Sequence, residues 1–235
     1  MTYVSNIFRK PTEERSANKT HPEYDRYNDV FVDNTASTWG FSGHYTMIFP
    51  HSLLGTVNAV KYALLNKKRI RGLGGRNSFS LTTQSDDIYI DLSRSFDYSI
   101  DEHNQKVGKL DVKPLDRLKD NVDCKNHFHA LGGMEISMIN HILCPDKLGQ
   151  IHRFGRKRMF NMAGVDIQTI AGAISTGTHG SGGKYSTFHE PVRSIELVAG
   201  DGKAYRIEPE GGITNPSKHK RYYQDLPVDM KVELI

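Results

Sequence analysis

The chain has 235 residues, of which 37% are hydrophobic and 25% are charged, and its formal net charge is +4. Such a composition predicts a globular protein with one sizeable core or two small subdomains. The sequence has neither an apolar run long enough to cross a membrane nor a signal-peptide pattern, so we expect no membrane span and a cytoplasmic location.

The two cysteines and the basic clusters exclude further classes. Cys124 and Cys144 have no metal-ligand spacing and cannot build a disulfide framework, which favours a reducing compartment. The basic clusters Lys67–Arg71, Arg153 with Arg156–Arg158, and Lys218–Arg221 are accompanied by no nucleic-acid-binding motif. We therefore expect no nucleic-acid partner and interpret them as solvated surface, or as a basic rim beside an anionic ligand.

The first half of the chain predicts an irregular arm over residues 1–37 and a compact unit over 38–113. The arm is polar and has few periodic apolar positions. In the unit, apolar residues recur at helical spacing after Ser52, a plausible N-cap. They are Leu53, Leu54, Val57, Val60, Leu64 and Leu65. A strand at 69–72, a glycine-rich turn and an alternating strand at 88–92 follow.

A second unit is predicted over residues 114–235. The apolar spacing from Met134 to Leu143 favours a helix that ends before Pro145. Two strands, Ser194–Val198 and Ala204–Ile207, flank Asp201-Gly202, a strong hairpin signal. The mixture of helices and short strands predicts an α+β fold.

Two glycine-rich segments carry the functional signal. Arg71-Gly-Leu-Gly-Gly-Arg-Asn-Ser-Phe79 is one, and the other runs from Gln168 through Thr-Ile-Ala-Gly-Ala-Ile-Ser-Thr-Gly-Thr-His-Gly-Ser to Gly182. Long runs of small residues cost conformational entropy and offer little packing. They leave N–H groups and hydroxyls for a polyanion or an extended cofactor.

Two common nucleotide-binding motifs fail on the residues that define them. After Gly72 and Gly74, the third position of a dinucleotide-binding fingerprint is Asn77, and no helical pattern follows. Around Gly183-Lys184, a phosphate-binding P-loop would need glycine where Thr178 stands and Ser or Thr where Tyr185 stands.

The order and spacing of these segments instead resemble the flavin-binding half of the FAD-linked oxidases of the vanillyl-alcohol-oxidase or p-cresol-methylhydroxylase-like family. The aldonolactone and alditol oxidase branch is most similar. The resemblance covers roughly residues 38–207 and includes Thr38-Trp39-Gly40, Pro50, both glycine-rich segments, Ile88–Leu92 and Val192–Val198. It implies a PCMH-type FAD-binding domain of two α+β subdomains.

The resemblance also implies an FAD site. We expect cofactor contacts from Arg71, Gly72, Leu73, Gly74, Gly75, Arg76, Asn77, Ser78 and Phe79, and from Gly172, Ser175, Thr176, Gly177, Thr178, His179, Gly180 and Ser181. In much of the lactone-oxidase branch, a histidine that matches Asn77 is bonded covalently to the flavin. An asparagine amide cannot form that bond, so we predict non-covalent FAD. His179 is interpreted as a positioning residue, and no catalytic residue or metal ligand is assigned.

The resembling oxidases carry a substrate domain after the flavin domain, and we expect this chain to lack that domain and the closing strand of the flavin domain. The first interpretation is therefore the flavin half of an oxidase acting on CH–OH groups of sugar lactones or polyols, inactive alone. The alternatives are a flavin- or nucleotide-binding module without activity and a basic interaction protein that has lost FAD.

Overall fold

The computed structural model describes residues 19–21, 24–33, 40–85, 87–92, 98–100, 106–108, 113–144, 157–159, 161–228 and 231–235. Thr38, Trp39, Pro145, Arg153 and Arg156, named above, lie outside them. The described strands are β1 (Lys19–His21), β2 (Tyr24–Asp33), β3 (Gly40–Pro50), β4 (Ile70–Leu73), β5 (Ile88–Asp91), β6 (Tyr98–Ile100), β7 (Lys106–Gly108), β8 (Ile195–Val198), β9 (Ala204–Ile207) and β10 (Val232–Leu234). The described helices are α1 (Leu53–Leu65), α2 (Ile136–Leu143), α3 (Ile170–Ser175) and α4 (Pro216–Tyr223). The predicted α+β class is confirmed.

The first sheet has the strand order β1-β2-β3-β5-β4. Strands β1, β2 and β3 are antiparallel neighbours, whereas β5 is parallel to both β3 and β4. The irregular arm predicted for residues 1–37 is therefore wrong at 19–21 and 24–33. Polar residues such as Asp25 and Arg26 hide the strand signal, but pairing of β2 along β3 overrides their weak propensity. The rest of the arm lies outside the described residues.

Helix α1 begins where the sequence predicts. The Ser52 Oγ accepts a hydrogen bond from the Gly55 N–H at 3.0 Å, which satisfies one of the free donors at the helix start. The buried face consists of the small residues Gly55, Val57, Ala59, Val60 and Ala63, so α1 packs close to its neighbours. Leu64 and Leu65 continue the apolar spacing but are 50% and 84% exposed.

Strand β5 is buried on both faces. Ile88 packs beneath α1 with Ile48 and Ala59, while Tyr89 packs on the opposite face with Met47 and Leu73. The predicted alternation of residues 88–92 therefore does not separate a buried face from an exposed one at Tyr89, which is fully buried. Burial is possible there because the tyrosine hydroxyl donates to the Ser85 carbonyl and accepts from the Ser85 N–H.

The second sheet has the order β10-β9-β8. The predicted hairpin between β8 and β9 is confirmed, and Gly202 occupies the left-handed region at φ +78° while its N–H donates to the Ala199 carbonyl. Strand β10 lies parallel to β9, after the crossover through α4. The His219 Nε2 donates to the Val232 carbonyl at 2.7 Å, which joins α4 to β10.

Helix α2 lies at the centre of the largest core cluster of the described residues. Met138, Ile139 and Ile142 are buried as their spacing predicts, and Phe188 and Ala173 pack with them. None of the helices within the described ranges has the length and apolar character that crossing a lipid bilayer requires.

A further hydrophobic cluster joins α1 to the second sheet. Val57 is fully buried and packs with Ala204, Tyr223 and Val232. The predicted boundary between the two units, at residues 113 and 114, stays a prediction, but apolar contacts cross it.

A buried charge network lies beside this cluster. The Glu196 Oε1 accepts from Arg117 Nη2 at 2.8 Å and from Arg206 Nη1 at 3.2 Å, and both arginine side chains are at most 5% exposed. Arg206 Nε also donates to Glu208. Burial alone would raise the pKa of the Glu196 carboxyl, but the Arg117 guanidinium and its neighbours outweigh burial and hold that pKa below its ordinary value. The network keeps the interior charges paired.

Candidate functional site

The first predicted loop grows out of β4. Arg71, Gly72 and Leu73 belong to the strand, and Leu73 is only 6% exposed because its side chain packs in the core. Leu73 could therefore contact a cofactor only through its backbone. Phe79, at the other end of the loop, is 75% exposed. The polar part of the predicted site is the turn between them.

Two features shape that turn. Arg76 adopts a left-handed conformation with φ +56°, which is costly for a residue with a side chain. The Asn77 Nδ2 donates to the Gly75 carbonyl at 3.0 Å and so closes the turn locally. The Ser78 Oγ, on the far side, accepts from the Ser80 N–H. The Asn77 amide thus has a structural partner within the turn.

The second predicted segment differs from the expected row of free N–H groups. Its first part forms helix α3, which Thr169 caps by accepting from the Gly172 N–H. The Ile170 N–H donates to the Met134 carbonyl and the Ala171 N–H to the Gly132 carbonyl. The expectation is therefore wrong at the start of the segment, because these donors are used within the protein. The backbone N–H groups at the start of α3 are therefore not available to a ligand.

The hydroxyls at the end of α3 are also occupied. The Ser175 Oγ donates to the Ala171 carbonyl at 2.7 Å, and the Thr176 Oγ1 donates to the Gly172 carbonyl at 2.9 Å. Both oxygens can still accept a hydrogen bond from a ligand hydroxyl. Gly177 follows in the left-handed region with φ +65°, where glycine is favoured, and the chain leaves the helix there.

The two glycine segments meet, although they are far apart in the sequence. A Cβ atom on Gly74 would lie 2.7 Å from the Thr169 Oγ1 and 3.6 Å from the Cα of Gly172. One on Gly75 would lie 2.8 Å from the Ile167 carbonyl oxygen. The glycines of the first loop are therefore required by contact with the residues around the start of α3. At Gly72, by contrast, a Cβ would meet nothing within 4 Å.

After α3 the chain forms a second loop, Thr178–Phe188. The Phe188 N–H donates to the Thr178 carbonyl at 3.0 Å and closes the base of the loop. Phe188 is 2% exposed and anchors that base in the core. The Nδ1 of His179 lies 2.9 Å from the Gly180 carbonyl oxygen. Because a carbonyl oxygen only accepts, Nδ1 carries a proton, and in the neutral ring Nε2 is then an acceptor.

A set of backbone donors remains unused on the two loops. The N–H groups of the following residues donate to no other group of the described chain: Gly74, Asn77, Gly177, His179, Gly180 and Ser181. Clustered backbone N–H groups form sites for anions such as phosphate. Within the described ranges, no group of three or more His, Cys, Asp or Glu residues is placed to hold a metal ion.

Sequence reasoning missed two residues that shape the site. Thr169 caps α3 and touches the first loop, and Asn161 is 6% exposed with its amide under the second loop. The N-cap position of Thr169 before an alanine- and glycine-rich run is a signal that could have been used. Asn161 belongs to no motif and is separated from the loop that it contacts.

Comparison with known proteins agrees with the resemblance. No family model matches the chain. An alditol oxidase from Streptomyces sp. is 47% identical over 49 residues, which are 21% of this chain and 12% of that protein. A putative D-arabinono-1,4-lactone oxidase from Neurospora crassa is 38% identical over 50 residues, which are 21% of this chain and 9% of that protein. The predicted resemblance to the aldonolactone and alditol oxidases is confirmed.

The aligned stretches span only a small part of these aldonolactone and alditol oxidase relatives. Among solved structures, a mutant of cholesterol oxidase from Brevibacterium sterolicum superposes with a TM-score of 0.46 and 13% identity. The match covers 71% of this chain and 27% of that protein.

Proposed function

We propose that the chain binds FAD along its two glycine loops, as the flavin-binding part of an oxidoreductase that acts on CH–OH groups of sugar lactones or polyols. The observation that carries the proposal is the contact of Gly74 with Thr169, since it joins the first loop to the start of the helix that leads into the second loop. Unused N–H groups lie on both loops. A diphosphate offers the acceptors that such groups require. The names of the relatives supply the substrate class.

The residues present fit a dinucleotide. Gly72 leaves open space beside β4, and a side chain there would fill it. Arg71 is exposed and Arg76 is half-buried, and a guanidinium from either residue can meet phosphate oxygens. On the second loop, the N–H groups of His179, Gly180 and Ser181 complete the donor set. The free Nε2 of His179 can accept from a ribityl or ribose hydroxyl, which is a positioning role.

The chemistry divides between the cofactor and the protein. When bound, FAD supplies the two-electron acceptor for oxidation of a CH–OH group. The chain's own residues bind the diphosphate, orient the dinucleotide and neutralise its charge. The Asn77 amide cannot bond to the flavin and already donates to the Gly75 carbonyl. We therefore propose that the flavin is held non-covalently.

The test is a flavin titration of the 235-residue chain, followed by its absorption spectrum. We expect one FAD per chain, a yellow protein, and release of all flavin into the supernatant on acid precipitation. Flavin fluorescence on the denatured polypeptide would contradict non-covalent binding. A colourless protein with salt-sensitive binding of simple anions would overturn the proposal.

A second measurement addresses oxidation itself. Anaerobic bleaching of the flavin band with a panel of aldonolactones and polyols reports transfer of electrons from substrate. We expect little bleaching by this chain alone, because the two loops place groups suited to an anion rather than to a sugar ring. Rapid bleaching would show that the chain forms a sufficient substrate site and would overturn that expectation.

A further inference from the structure

Asn161 occupies a buried position under the second loop. Its side-chain Nδ2 lies 3.3 Å from the Tyr185 carbonyl oxygen and 3.2 Å from the Ser186 carbonyl oxygen. Asn161 is 6% exposed, so water competes little for these hydrogen bonds. One amide group thus holds two consecutive carbonyls of the returning arm of the loop.

The other end of the same amide contacts the outgoing arm. A Cβ atom on Gly180 would collide with the Asn161 Oδ1 and with the Met162 carbonyl oxygen. A Cβ on Gly182 would lie 3.3 Å from that Oδ1. Asn161 is therefore enclosed between the two arms, and Gly180 is required by this contact within the protein.

We propose that Asn161 is a positioning residue, which fixes the path of the loop so that the N–H groups of His179, Gly180 and Ser181 meet the diphosphate. The inference rests on the proposed function, because it assigns a role to a residue outside both glycine segments. The role requires an amide: two donors must point at carbonyl oxygens, and the group beside an anion site must be neutral. An ionised carboxylate has no hydrogen-bond donor and is negatively charged, so it meets neither requirement.

Two variants and one matched control test the proposal. Asn161→Leu removes both donors without adding charge, and Asn161→Asp removes them and adds a negative charge. The control Asn66→Asp removes a similar amide donor, from Asn66 Nδ2 to the Tyr62 carbonyl, at the exposed end of α1. We expect the Kd of FAD to rise about ten-fold in Asn161→Leu and further in Asn161→Asp, with no change in the control.

A readout that general destabilisation would not move is the visible circular dichroism of bound flavin at saturation. We expect its band shape to change in both Asn161 variants and to stay unchanged in Asn66→Asp. Unaltered FAD affinity and band shape in folded Asn161 variants would overturn the proposal.

Limited trypsin digestion of the full chain gives an independent test. Lys184 is exposed on the held loop, and Lys220 is an exposed reference site on α4. In the wild-type chain we expect FAD to slow cleavage after Lys184 relative to Lys220, and this comparison does not depend on whether a variant folds. Bound FAD with unchanged cleavage after Lys184 would overturn this inference alone. A wild-type chain that binds no FAD would overturn the proposed function and this inference with it.

Discussion

The α-carbon of Gly74 faces the hydroxyl of Thr169 so closely that a Cβ atom would lie 2.7 Å from its Oγ1. Thr169 in turn caps α3 through the Gly172 N–H. The first glycine loop therefore packs directly against the start of helix α3, and this contact needs no ligand. This separates the glycines that the fold requires from those that a ligand would require.

Gly72→Ala should weaken FAD binding without weakening the fold. A Cβ at this position meets nothing within 4 Å, and the residue does not adopt a left-handed conformation. We expect the melting temperature of the ligand-free chain to stay unchanged and the Kd of FAD to rise about ten-fold, because the methyl group occupies the open space that we propose for the cofactor. Gly200→Ala, at another open position in the β8–β9 turn, is the matched control. Equal FAD affinity in both variants would remove Gly72 from the site.

Gly74→Val should destabilise the ligand-free protein. The added side chain would overlap the Thr169 hydroxyl and approach the Cα of Gly172. We expect a loss of about 1–3 kcal/mol in the free energy of unfolding, as overpacking of close contacts usually costs. Urea denaturation without FAD measures it. A free energy of unfolding equal to that of the wild type would mean that the two glycine segments do not contact each other as described.

Glu196→Gln should be strongly destabilising. The change leaves Arg117 and Arg206, with side chains 2% and 5% exposed, without the carboxylate that they share. Loss of one partner from a buried pair costs about 3–5 kcal/mol, and because Arg206 keeps its pair with Glu208, the loss falls mainly on Arg117. Asp120→Asn is the control, since Asp120 pairs with Lys218 at the surface and should give no measurable change. Equal denaturation midpoints for both variants would contradict the prediction.

Tyr223 should make the protein sensitive to alkali. Burial raises the pKa of its hydroxyl to about 12 from the ordinary 10.0. The pKa of Tyr223 is higher in the folded state than in the unfolded state. The stability that the protonated hydroxyl contributes is therefore fully present below pH 10.0 and is lost as the pH rises toward about 12. The loss for this one group is about 2–3 kcal/mol.

Tyr223→Phe tests this assignment. The variant loses the hydrogen bond from Arg117 Nη1 to the tyrosine hydroxyl, so it should be less stable at neutral pH. Its free energy of unfolding should then fall less steeply than that of the wild type across the same alkaline range. Parallel curves for the two proteins would assign the alkaline loss to other groups.

Local signals explain which elements the sequence predicts. Ser52 before an apolar helical pattern and Gly202 in a tight turn act over a few residues, and α1 and the β8–β9 hairpin are found accordingly. Strand β2 is missed because pairing with β3, and not its own residues, holds it extended. Helix α3 is missed because its residues read as a flexible small-residue run, while the Thr169 cap and core contacts of Ile170 and Ala173 fold it.

The candidate site, too, is predicted from the sequence where local signals mark it and is missed where contacts between distant residues form it. Glycine content indicates both loops, and backbone donors remain unused on each. The contact of the first loop with the start of α3 and the place of Asn161 depend on residues brought together by the whole fold, which no spacing in the sequence encodes. The predicted cofactor contacts remain predictions until flavin binding is measured.

The burial of Val57 against Ala204 and Val232 bears on how the molecule unfolds. On one side α1 packs with the first sheet through Ala59 and Ala63, and on the other it packs with the second sheet. Separating the two halves would expose apolar surface on each of them at once. Heat or denaturant should therefore melt both in a single cooperative transition, and a fragment cut near residue 113 should not remain folded alone.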